Sequence, residues 1–102
     1  MRVAGFDWDE ANIAKCQKHG VSIEEIEQVF INDPYWRVDA EHSHNEERFI
    51  AIGRPDSGRY TFVWFTFRSK LQNALIRPIG ARFMHSREIK KYEKTIAEIQ
   101  NR

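Results

Sequence analysis

Eight side chains in this sequence are of the types that act on a phosphodiester: Lys18, His19, Arg48, Arg77, Arg82, Arg87, Glu88 and Tyr92. Cleaving an RNA backbone through its 2′-hydroxyl needs charge stabilisation at a pentacoordinate phosphate, a proton acceptor and a proton donor. Guanidinium groups bind phosphate bidentately and stay charged at every relevant pH. A group of arginines can thus supply the electrostatic part of catalysis, usually the largest, without a metal ion. His19, Glu88 or Tyr92 can move the protons. The competing reading is structural, because strand arginines often form a solvated face and Glu88 four residues before Tyr92 can simply support a helical turn. Arg77 is the most telling residue: strict alternation groups it with Leu75 and Ile79. An arginine among apolar neighbours requires an anion, either a carboxylate such as Glu88 or a ligand phosphate. For His19, next to Gly20, capping of helix carbonyls and proton transfer carry equal weight.

Other chemistries have less support. His42-Ser43-His44 would put two imidazoles on one side if extended, yet no Cys-x-x-Cys and no helical His pair accompanies them. No metal and no cofactor is therefore expected. Cys16 falls within a helix without a catalytic neighbour, and there is neither a Gly-x-Ser-x-Gly nor a phosphate-cradling glycine loop.

The elements that must position these residues follow from patterning. The first, Ala4 to Trp8, alternates apolar and acidic residues and reads as a strand. Asp9 caps a helix that closes at Lys18-His19-Gly20. Ser22 and Glu25 form a capping box for a second helix, with Val21 and Ile26 placed as its hydrophobic staple. Asn32-Asp33-Pro34 stops that helix. Strands are predicted over Tyr35 to Asp39, Arg48 to Arg54, Tyr60 to Arg68 and Asn73 to Arg82, with Pro55-Asp56-Ser57-Gly58 as a turn. Both parities of Tyr60 to Phe67 are largely apolar, which predicts a central strand covered on both faces. Ser86 caps a last helix with Ile89, Tyr92, Ile96 and Ile99 on one stripe. The order β-α-α-β-β-β-β-α predicts an α+β fold, an antiparallel sheet with two N-terminal helices and one C-terminal helix. Arg77 and Arg82, five residues apart, would face opposite ways on a regular strand; a bulge at Pro78 to Gly80 would bring them to one side.

Composition bounds the whole. The chain has 102 residues, 41% hydrophobic and 13% aromatic, and is expected to form a single domain over 1–102. A charged fraction of 30% and the lack of any long apolar run exclude a membrane span. The start, Met1-Arg2-Val3-Ala4-Gly5-Phe6-Asp7, meets acid too early for a secretory signal, and the single cysteine suits a reducing cytoplasm. Residues 1–47 hold four basic and eleven acidic residues, net −7; residues 48–102 hold twelve and four, net +8. That asymmetry points either to a basic face for a polyanion or to mutual attraction of the halves across the fold.

The sequence resembles the BrnT family of type II toxins in three blocks. The first is Phe6-Asp7-Trp8-Asp9, Lys18-His19-Gly20-Val21, Glu25, Val29-Phe30 and Asp33-Pro34. The second is Glu47-Arg48-Phe49 with Ile52-Gly53. The third is Ile76-Arg77-Pro78-Ile79-Gly80-Ala81-Arg82 with Arg87-Glu88 and Tyr92-Glu93. The resemblance implies a RelE-like fold and a metal-independent endoribonuclease that inhibits translation and growth. It also implies neutralisation by a BrnA-like, DNA-binding antitoxin in a hetero-oligomer, with operator DNA reached only through that partner. On it, Arg77, Arg82, Arg48, His19 and Glu88 are the expected catalytic residues, and Lys18 and Tyr92 the expected RNA-binding ones, which Arg87 joins on its residue type alone. Cys16 and Gly80 depart from the family's usual residues and motivate an alternative, a toxin-like module that binds antitoxin or RNA without cleaving.

Overall fold

A computed structural model describes the backbone of residues 4–100 and side chains to residue 98, so the expected place of the Ile99 side chain on the last helix's stripe lies outside what is described. In chain order the elements are α1 (Glu10–Gln17), α2 (Ile23–Ile31), β1 (Tyr35–Val38), a 3-10 turn (Ala40–His42), β2 (Phe49–Gly53), β3 (Thr61–Lys70), β4 (Asn73–Phe83) and α3 (Ser86–Gln100). The four strands pair antiparallel in the order β1-β2-β3-β4, the α+β arrangement expected from the sequence.

Local chemistry explains the helix ends. The Asp9 carboxylate accepts the backbone N–H groups of Ala11 and Asn12, and the Asn12 side chain returns a bond from the Asp9 N–H, a reciprocal cap. Ser22 and Glu25 do the same for α2. Gly20, at φ +87, occupies the left-handed conformation that lets the chain leave α1 and enter α2 within a few residues.

One element differs from expectation. Residues Ala4 to Trp8 form no strand; Phe6 makes a single parallel bridge to Ile76 on the outer edge of β4. Hydrogen bonds run from Asp7 N–H to the Ile76 carbonyl and from Ile76 N–H to the Gly5 carbonyl. Pairing stops there because Asp9 is already committed to capping α1.

Helices α1 and α2 cover one face of the sheet. Their Cys16, Ile26, Val29 and Phe30, with Val21 from the connection between them, form one core with Phe49, Ala51, Val63, Phe65, Ile76 and Ala81. Burial pushes the Cys16 thiol up to about 11, consistent with a packing role. Asn12, almost fully buried, donates to the carbonyls of Asp7 and Pro78 and so fastens α1 to β4. The opposite face carries the even-numbered residues of β3. The expectation that β3 is central holds, but the expectation that both its faces are covered holds only in part. α3 shares a cleft with Tyr35, Ile52 and Phe62 at one end, while Phe62 and Trp64 stay half-buried.

β3 runs two residues past its predicted end, to Lys70, because it continues into a two-residue hairpin at Leu71-Gln72, closed by the pair Lys70↔Asn73; β4 starts at Asn73 as predicted and gains Phe83 at its other end. Both turn residues have positive φ, 49° and 69°, and Leu71 is fully exposed. Such a turn favours Asn-Gly, so Leu-Gln carries strain of roughly 1 kcal/mol per residue. The double substitution Leu71→Asn/Gln72→Gly is expected to raise stability by about 1 kcal/mol. Urea unfolding checks this as a higher midpoint at unchanged slope.

Candidate functional site

The face of the sheet opposite α1 and α2 is laid out in rows set by strand pairing, with Ile50, Ile52 and Thr66 buried between its charged and aromatic residues. Tyr35, Ile52, Phe62 and Arg82 form one row; Arg37, Ile50, Trp64 and Gly80 form the next. Thr66 and Arg77 pair in a third row, and Arg48, just before β2, abuts it as the Thr66 hydroxyl donates to the Glu47 carbonyl.

Arg77 and Arg82 share this face because β4 is bulged. Pairing slips between Trp64↔Gly80 and Phe65↔Pro78, leaving Ile79 without a partner. The slip restores the parity that five residues would otherwise break. Their partners Thr66 and Phe62 are nonetheless four residues apart, about 13 Å along a strand. The two arginines therefore sit in separate surroundings.

Arg77 lines a cleft of about 170 Å³ with Lys15 of α1, Arg48, Arg68 and Glu46. Four cationic side chains and one carboxylate meet there. Arg68 is held by Glu46 at 2.7 Å, and the Arg68 guanidinium pulls the Glu46 carboxyl below its usual range. The anion required by Arg77 is Asp7 at 3.3 Å together with Asp9 at 3.0 Å, and not Glu88. Lys70 adds a second cation to Asp7 at 2.7 Å and is the main reason that carboxyl titrates low. For Asp9, the bond from Arg77 is the main cause of a lowered pKa. Both aspartates bind the same Arg77 nitrogen, Nη1, which leaves Nε and Nη2 without a protein acceptor among the described residues. The Arg48 guanidinium and the Lys15 ammonium likewise have no acceptor among the described residues.

Arg82 is bound differently. Its Nη1 and Nη2 both reach Glu88, at 2.8 Å each, and its Cζ lies 4.7 Å over the Phe62 ring and 5.9 Å from that of Trp64. Glu88 also accepts the His85 backbone N–H at the start of α3. These bonds, Arg82 first, lower the Glu88 carboxyl to about 2. Tyr92 stands between Tyr35 and Tyr60, with centroids at 6.4 and 5.6 Å, and burial raises its hydroxyl pKa. Arg87 is exposed on α3. Lys18 and His19 are exposed at the end of α1, where the backbone N–H groups of Lys18 and Gly20 make the closing bonds and the imidazole makes none among the described residues. Of the eight residues singled out by sequence, the cleft thus gathers Arg48 and Arg77.

Sequence reasoning overlooked Lys15, Arg68, Asp7 and Asp9. A signal for Lys15 existed, since it lies three residues from Asn12 and so on the same side of α1. Arg68 lay two residues from Thr66 on the same strand face. The one set of groups placed to hold a cation is Asp39, Glu41 and His42, with ligand atoms within 4.8 Å of one another among the described residues. It lies in the 3-10 turn, and the Asp39 carboxylate is already bonded to His42 Nδ1 at 2.8 Å. No helix among the described residues is long and apolar enough to cross a membrane.

A family model described as "Ribonuclease toxin, BrnT, of type II toxin-antitoxin system" matches residues 8–88. No curated protein matches the sequence.

The Arg82–Glu88 pair makes stability pH-dependent. Glu88 is depressed from 4.5 to about 2 in the fold, so its contribution is present above 4.5 and is lost as pH falls towards 2. Both side chains are about one-third exposed, which limits the effect to about 1 kcal/mol. Glu88→Gln should lower the urea midpoint at pH 7, and the gap from wild type should narrow steadily between pH 4.5 and the lowest pH at which the fold persists.

Proposed function

The chain belongs to the BrnT family, the ribonuclease toxins of type II toxin–antitoxin systems, and on that premise we propose that it is a metal-independent endoribonuclease that cuts RNA within the chain and so stops translation and growth. A type II toxin has an antitoxin partner, and we assign that role to a BrnA-like, DNA-binding protein that covers the face of the sheet opposite α1 and α2.

The observation that carries the proposal is the cleft where Arg48, Arg68, Arg77 and Lys15 converge with a single lining carboxylate. A pentacoordinate phosphate there would meet the unused Nε and Nη2 of Arg77 and the unpaired guanidinium of Arg48. Both remain cationic, so they stabilise the added negative charge without a metal. Arg82 and Lys18 contact RNA away from the scissile bond. For proton transfer Glu88 is a poor base, since a carboxyl at about 2 holds a proton weakly at neutral pH. Tyr92, with its raised pKa, is protonated and can only donate. His19, exposed and without a hydrogen-bond partner among the described residues, is the remaining candidate for the base; it lies outside the cleft lining, one turn beyond Lys15 on the α1 side, so RNA must run along α1 to reach it.

One observation favours the alternative of a module that binds without cleaving: Arg77 and Arg82 both already hold carboxylates. Cleavage of a defined RNA by purified protein in EDTA separates the two. Cleavage should persist in EDTA and fall by about 100-fold in folded Arg48→Ala and Arg77→Ala, the scale of one lost transition-state contact. Absence of cleavage by folded wild-type protein supports the non-cleaving module. A fall of less than about tenfold in His19→Ala removes His19 as base, because that is only about 1.4 kcal/mol of barrier. Saturating antitoxin should abolish cleavage and shield Arg77 from arginine-specific modification.

A further inference from the structure

Between the row that holds Arg82 and the row that holds Arg77 lies Trp64, paired across the sheet with Ile50 on β2 and Gly80 on β4. We propose that Trp64 is a stacking platform for one RNA base, and that the phosphates on either side of that base reach the Arg82 row and the Arg77 row respectively. The proposal rests on the ribonuclease reading and deepens it by naming a residue that binds the substrate's base.

Three observations carry it. First, Trp64 is half-buried although it occupies an interior strand, and its side chain lies on the face where the arginines lie, with the Arg82 guanidinium 5.9 Å from its ring. Second, its neighbour Gly80 leaves space above the sheet: a Cβ built at Gly80 would meet nothing within 4 Å. A side chain there would stand beside the indole, and its absence makes room for a flat ring. Third, the spacing suits a nucleotide. Each flanking cationic row lies two residues, about 7 Å, from the aromatic one, so the long arginine side chains can reach in from both sides towards the phosphates that bracket one base. Phe62, whose ring centroid is 5.7 Å from that of Trp64, and the Arg82 guanidinium over Phe62 continue the platform towards α3. Arg37, at the far end of the Trp64 row, adds a further cation. Aromatic rings beside a cationic track bind single-stranded nucleic acid with little dependence on sequence, because every base presents a π-face.

A core tryptophan that merely packs the sheet would not be sensitive to what fills the space over Gly80, and that difference makes the test. Binding of a short, fluorescently labelled 2′-O-methyl RNA, which cannot be cleaved, is measured by anisotropy at several salt concentrations. Trp64→Ala should weaken binding about tenfold, the scale of one stacked base, at every salt concentration. The slope of log affinity against log salt should be unchanged, because no phosphate contact is lost. Arg48→Ala, as a control, should lower that slope. Gly80→Val keeps the indole and suits a strand, so it covers the case in which Trp64→Ala fails to fold; it too should weaken binding about tenfold. If folded Gly80→Val binds RNA as tightly as wild type, the platform is wrong and the ribonuclease reading stands. If wild-type protein binds no RNA even at low salt, both fall together.

Discussion

Arg77 and Arg82 would point to opposite sides of a regular strand, and the site exists because the register of β4 slips by one residue at Ile79. That slip is tolerated for identifiable reasons. β4 is the edge strand of the sheet, and Pro78 beside the bulge has no N–H to lose from the ladder. The Pro78 carbonyl is satisfied from outside the sheet by the Asn12 amide. Asn12 in turn holds the carbonyl of Asp7 and closes the cap at Asp9, the two acids that bind Arg77. One buried amide therefore connects the bulge, the first turn of α1 and the ion pairs of the cleft.

The charge asymmetry between the two halves of the chain resolves in the same place. Asp7 and Asp9 pair with Lys70 and Arg77, and Glu46 pairs with Arg68, so three of the eleven acids of the first half meet cations of the second across the fold. This is the second of the two readings that the asymmetry allowed. It does not exhaust the cations, because Arg48 and Lys15 line the same cleft without acceptors among the described residues. What a polyanion meets is a small excess of positive charge held in place by acids, a more rigid target than an unpaired basic patch.

The sequence revealed most where the signal was local. The caps at Asp9 and Ser22, the stop before Pro34 and the Pro55–Gly58 turn were legible because each depends on residues within four positions. The bulge was legible as a condition, from the placement of Pro78 and Gly80. The Leu71-Gln72 hairpin was not, because neither residue is one that favours positive φ; long β3–β4 pairing imposes the turn on them. The site was legible only in its residue types. Which arginine meets which acid depends on pairs 70 residues apart, such as Asp7 with Arg77, and no spacing rule reaches that far.

The two arginines therefore differ in what RNA must displace. Glu88 takes both terminal nitrogens of Arg82, so a phosphate claiming that fork must break a bidentate pair that also anchors the start of α3. Asp7 and Asp9 share a single nitrogen of Arg77 and leave the remaining donors turned to other use. A phosphate can join Arg77 without evicting either acid, and the acids then fix the guanidinium plane before substrate arrives. Preorganised donors of that kind stabilise a transition state more than donors that must first reorient. The acids also set a cost, because they repel the phosphate they help to orient. Arg48, with no carboxylate of its own, offsets that repulsion from the other side of Thr66. The cleft works as a pair of unlike arginines, one held in position by hydrogen-bonded carboxylates and one with no bonded acid, its charge reaching only Glu46 across the cleft.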